Sequence, residues 1–142
     1  MIPRKIIIHH SLTEDGKTVS WGAIRKYHMT DPKHKYIDIG YHAGIELVND
    51  QHEILMGRMW DKQGAHTFGQ NEGSLGLCFV GNYDEREPSD EMYKKGAEII
   101  RLWMKLYHID ILDIYRHHDF ATYKTCPGLQ FDIIKLRDLL RD

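Results

Sequence analysis

The sequence predicts an α/β domain, a central mixed β-sheet flanked by helices. Three observations lead there. Short β-branched or apolar runs, "RKIIIHH" and "SLGLCFVGNY", read as buried strands. Stretches with helical periodicity stand between such runs. One pair of strand-like runs meets at Asn49-Asp50 and reads as a hairpin, so the sheet mixes antiparallel and parallel neighbours. A chain of 142 residues suffices for one domain, 1–142, with a real core.

In order, "RKIIIHH" is the first strand, and "SLTEDGKT" a loop turning at Asp15-Gly16. Ser20 caps a helix in which Trp21, Ile24 and Tyr27/His28 share helical spacing; Asp31-Pro32 ends it. "IGYHAGIELV" is the second strand, and "HEILMGR" its hairpin partner. "DKQGAHTFGQNEG" is a glycine-spaced loop, and "SLGLCFVGNY" a strand ending at Gly81-Asn82. After Pro88, Ser89 caps a long helix to about His108. Met92, Ala97, Ile99/Ile100, Trp103 and Leu106 recur along it at roughly helical period. "ILDIYRHH" is a further strand and "LQFDIIKLRDLL" a closing amphipathic helix.

Composition narrows the function classes. Hydrophobic residues are 42% and charged residues 28%, ordinary for a soluble globular protein. A net charge of −2 lacks the basic footprint of a nucleic-acid binder. No run approaches the roughly 20 apolar residues of a membrane span. The apolar run in "MIPRKIIIHHSL" is three isoleucines, against the about 7–15 residues of a signal peptide's apolar region. Two cysteines make no disulfide framework. The expectation is synthesis in a reducing cytoplasm, with neither nucleic acid nor membrane as partner.

Ten histidines remain to be explained, and two pairs, His9-His10 and His117-His118, end predicted strands. Open α/β sheets place ligands at such ends. Neighbouring strand side chains face opposite ways, so one histidine of each pair can enter a site while the other packs. Cys126 lies nine residues after His117. Two imidazoles and a thiolate would leave a fourth zinc position for water. Two other readings stand beside this one. The histidines are partly exposed strand-end residues and Cys126 a small hydrophobe, or Cys126 is a nucleophile paired with His117 or His118 and oriented by Asp119. Cys78 reads as core, and an unexported chain gives little reason for a Cys78–Cys126 disulfide. Trp60 and Phe68 are candidates for a sugar-binding surface, or for core.

Taken together, "IIIHHS", "DIGYHAGI", "GAHTFGQNEGSLGLCFVGN" and "YRHHDFATYKTCPG" resemble, in order and over essentially the whole chain, a known family. It is the zinc-dependent N-acetylmuramoyl-L-alanine amidases of the phage lysozyme type, whose fold peptidoglycan recognition proteins share. The resemblance implies one zinc ion held by His9, His117 and Cys126. Tyr41 would position the attacking water and scissile amide, and Lys124 would support the oxyanion. His66 and Thr67 would lie beside the substrate. Counting back from the cysteine selects His118 as ligand; aligning on Asp119 selects His117, which we prefer because loops absorb insertions. His10 departs from the family pattern and receives no role.

The activity implied is hydrolysis of the bond between N-acetylmuramic acid and L-alanine in peptidoglycan. Without an evident signal peptide or wall-binding module, the chain resembles a monomeric phage or prophage endolysin, reaching the wall after membrane permeabilisation. The alternatives are a cytosolic muropeptide-recycling amidase and a non-catalytic peptidoglycan-binding protein. Binding-only members typically lack a zinc ligand.

Overall fold

A computed structural model describes residues 1–13 and 20–141. The expected turn at Asp15-Gly16 lies outside them. Five strands form one mixed sheet: β1 (Lys5–His10), β2 (Ala43–Val48), β3 (Gln51–Met56), β4 (Ser74–Phe79) and β5 (Ile114–Arg116). Their order is β3-β2-β4-β1-β5, with only the β2–β3 pair antiparallel. The helices are α1 (Trp21–Thr30), α2 (Asp90–Tyr107) and α3 (Ile133–Leu139). The expected α/β architecture is therefore present.

The hairpin turn forms where expected. Asn49 and Asp50 both take positive φ, +49° and +67°, matching a two-residue turn between right-twisted strands. Ser20 caps α1 by accepting from Ala23 N, and Ser89 caps α2 by accepting from Met92 N. Asp90 and Glu91 in the first turn of α2 complement its dipole.

Strand alternation divides the molecule into two packed faces. Ile6 and Ile8 of β1, with Leu75, Leu77 and Phe79 of β4, join Met92, Ala97, Ile100 and Trp103 of α2 in the main core. The Ile, Leu, Phe and Met side chains among them each contribute roughly 1.5–3 kcal/mol on leaving water. Cys78 and Val80 belong to a smaller cluster with Trp21, Ile24 and Ile39, where α1 covers the opposite face. α1 covers only part of that face, and the remainder holds the site.

Three elements differ from expectation. The second strand begins at Ala43, and just ahead of it Ile39 and Gly40 carry other bonds. Arg58 donates to the carbonyls of Asp38 and Ile39, and Gly40 N–H donates to His28 Nδ1. β5 spans three residues, and His117 to Asp119 form a 3₁₀ turn instead of extending it. Leu106 is exposed at the far end of α2 and does not continue its buried stripe.

Candidate metal centre

His9 and His10 separate as strand neighbours must. His9, 1% exposed, points to the face that α1 leaves open. His10 turns toward the main core, where its Nδ1 accepts from Tyr83 N–H at 3.1 Å.

His117 and His118 separate by a different device. The 3₁₀ turn is closed by Arg116 and Asp119: Arg116 N–H donates to Asp119 Oδ2 at 2.8 Å, and its guanidinium to Oδ1 at 2.7 Å. On this turn His117 is buried, its ring centroid 4.6 Å from that of His9. His118 swings onto the following loop. Its N–H donates to Cys126 O at 2.8 Å, and its Nδ1 lies 2.6 Å from Lys124 O. The same bonds anchor the loop that delivers Cys126, whose Sγ lies 3.7 Å from His9 Nδ1 and accepts from His10 N–H at 3.3 Å. One donor atom each from His9, His117 and Cys126 lie within 4.8 Å of one another.

The electrostatics suit a cation. Burial, followed by His66 and His117, holds the His9 pKa well below its ordinary 6.5. Burial, then Lys124, lowers that of His117 to about 4. Both imidazoles are thus neutral, with lone pairs free to coordinate. Burial pushes the Cys126 thiol up to about 12, against the opposing His10 N–H and Lys124. A bound divalent cation reverses that balance, since a coordinating thiol is deprotonated outright. Two nitrogens and a sulfur fit zinc and leave one position of a tetrahedron for another ligand. In the rival nucleophile arrangement the orienting group, Asp119, is instead engaged by Arg116. Both cysteines are free, and Cys78 is fully buried.

The three donors open onto a groove of about 930 Å³ that Tyr41, His66, Thr67 and Lys124 also line. The Tyr41 ring sits 5.2 Å from His9 and stacks on Trp21 at 6.1 Å. Burial, then neighbouring Cys78 and Cys126, keeps its phenol protonated far above neutral pH. Lys124 is exposed on the rim, its Nζ 6.0 Å from the Tyr123 ring centroid. His66 and Thr67 turn their polar atoms inward, toward His9. Phe68, 99% exposed, lines the groove, whereas Trp60 packs edge-on against Trp103 at 5.7 Å. His28, His34 and Tyr36 form a further wall that sequence reasoning missed. Their signal was His28 on the last turn of α1, read only as helix periodicity.

A family model described as N-acetylmuramoyl-L-alanine amidase matches residues 1–129. The chain belongs to this amidase family. Its relatives include the endolysin of Enterobacteria phage T3, 29% identical over 134 residues, covering 90% of this chain and 81% of that protein. Peptidoglycan-recognition protein SD of Drosophila melanogaster is 31% identical over 106 residues, or 73% of this chain. The match spans only 55% of that recognition protein's own length. Among solved structures, the N-acetylmuramoyl-L-alanine amidase LysC from Clostridium intestinale superposes with a TM-score of 0.82 at 24% identity, covering 98% of this chain and 85% of that one. That likeness is one of fold. The mixed sheet with helices on both faces is thus the amidase fold that the motifs led us to expect.

Proposed function

We propose that the chain is a zinc-dependent N-acetylmuramoyl-L-alanine amidase, hydrolysing the amide between N-acetylmuramic acid and L-alanine in peptidoglycan. The convergence of His9, His117 and Cys126 at the floor of a groove that also holds Tyr41 and Lys124 carries this reading. These three residues would hold one zinc ion. Bound there, zinc would acidify water and polarise a carbonyl.

The chain's own groups supply the rest. Tyr41 keeps its proton and donates a hydrogen bond to the attacking water or the scissile carbonyl. Lys124, exposed on the rim, brings a cation to the oxygen where negative charge develops. The Arg116–Asp119 clamp and the His118 bonds hold His117 and Cys126 in place without touching substrate. Because the thiolate ligand lowers the charge of the centre, help from both groups is chemically appropriate.

In this reading residues 1–142 form one catalytic domain that works as a monomer on peptidoglycan. Its likeness to the phage T3 endolysin over most of both chains favours wall lysis after membrane permeabilisation. The test is incubation of the zinc-loaded protein with purified sacculi and with soluble muropeptides, scoring new L-alanine amino termini. Release from sacculi is expected. Release from soluble fragments alone would mark a recycling enzyme. Stoichiometric zinc with no release from either would mark a binding protein and overturn the proposal.

A further inference from the structure

We propose that His66 and Thr67 are positioning residues, which fix the orientation and tautomer of His9 so that its Nδ1 lone pair faces the metal. The inference rests on the zinc reading above. His9 Nδ1 is the nitrogen on the Cys126 side, 3.7 Å from Sγ. Its other nitrogen, Nε2, lies 2.9 Å from His66 Nδ1 and 3.3 Å from Thr67 Oγ1. Thr67 Oγ1 is in turn 2.9 Å from His66 Nδ1. A ligating Nδ1 must be unprotonated, which puts the ring proton of His9 on Nε2. That N–H then requires an acceptor, and His66 Nδ1 is one at hydrogen-bond distance. The Thr67 hydroxyl oxygen, 3.3 Å from His9 Nε2, is a second acceptor within reach of the same N–H.

Metal-bound histidines usually give this second N–H to a carboxylate, a backbone carbonyl or water. Here the acceptor is another imidazole, and the fold is built to hold it. Asn71 Oδ1 accepts from the backbone N–H of both His66 and Thr67, at 2.9 Å each, pinning the loop. The His66 ring lies flat on β4 because residue 76 is glycine. A Cβ there would sit 2.7 Å from ring carbon Cδ2 and 2.9 Å from Nε2. Gly64 makes room on another side, where a Cβ would again fall 2.7 Å from the ring. Thr67 is 2% exposed. With Nδ1 engaged and Nε2 buried, His66 has no ring nitrogen left for substrate.

The test is zinc affinity, measured by chelator competition without substrate, for wild type, His66→Ala, His66→Asn and Thr67→Val. The melting temperature of each metal-free protein is recorded alongside. His66→Ala should weaken zinc binding by about 10–100-fold, the usual effect of losing such an outer partner. His66→Asn, whose Oδ1 can accept where Nδ1 now does, should recover most of that loss. Thr67→Val should lose less than His66→Ala. Unchanged zinc affinity in His66→Ala with a raised KM would overturn the inference in favour of a substrate contact. Equal losses in the Ala and Asn variants, tracking a lower metal-free melting temperature, would reduce His66 to packing and also overturn it. A wild type that binds no zinc would sink both the inference and the metal reading. Zinc binding with the expected variant pattern but no amide hydrolysis would overturn the amidase reading alone.

Discussion

Replacing His117 and His118 in turn separates the two adjacent histidines in one measurement. If His9, His117 and Cys126 hold zinc, free zinc at a thousand times its dissociation constant stabilises the folded chain by about 4.1 kcal/mol. An unfolding entropy of ~2.1 cal/mol/K per residue over 142 residues gives about 0.3 kcal/mol/K. Zinc should then raise the wild-type melting temperature by about 14 °C. His117→Ala deletes a donor and should abolish nearly all of that rise, as should Cys126→Ala. His118→Ala removes the hydrogen bond between its Nδ1 and Lys124 O, at a cost of about 1 kcal/mol. Its melting temperature should drop by roughly 3 °C with and without zinc, leaving the zinc-induced rise intact. Differential scanning calorimetry at matched free zinc reads both numbers. If His118→Ala loses the zinc response while His117→Ala keeps it, the ligand assignment is wrong.

Tyr41→Phe should retain stoichiometric zinc while kcat on peptidoglycan falls by about 10²–10³-fold, as when one donor to a developing oxyanion is lost; equal activity in the variant would remove the phenol from the mechanism. Lys124→Met should behave alike, with the rate loss larger than any change in KM. The Asp119 carboxyl feels burial first, which raises its pKa, but the Arg116 bonds outweigh it and hold the pKa below its ordinary 3.8. A depressed carboxylate stabilises the fold above its unfolded pKa and stops doing so as pH falls through the lower folded one. Metal-free wild type should therefore lose melting temperature on acidification below about pH 4, and Asp119→Asn should lose less over that interval. Trp103→Ala, at a fully buried core position, should cost about 3–5 kcal/mol of stability. Zinc affinity measured well below its melting point should not change.

The two histidine pairs show what the sequence carries and what it withholds. In "IIIHH" the period of a strand sorts the pair by itself: three isoleucines fix the extended backbone, and His9 and His10 must then face opposite layers. The same rule was extended to "IYRHH", where it does not apply. Strand pairing stops at Arg116, opposite Ile8, so no partner strand holds His117 extended. The chain folds instead into a 3₁₀ turn, closed by a side-chain clamp from Asp119. Which histidine turns inward is then set by the loop that His118 binds, a contact that depends on where residues 124–126 return in space. Between Asp119 and Cys126 the chain folds through successive turns, from Ala121 N to His117 O and from Lys124 N to Ala121 O. Counting residues back from Cys126 takes no account of these turns, which leave His117 rather than His118 beside His9 and Cys126. The hidden link from His66 to His9 has the same origin: 57 positions separate them, and only the folded loop brings them to 2.9 Å. Local period reports which way a side chain leaves its own strand. What it meets there is decided by the loops that close over it, and in this chain those loops bring Tyr41, His66, Thr67 and Cys126 to His9.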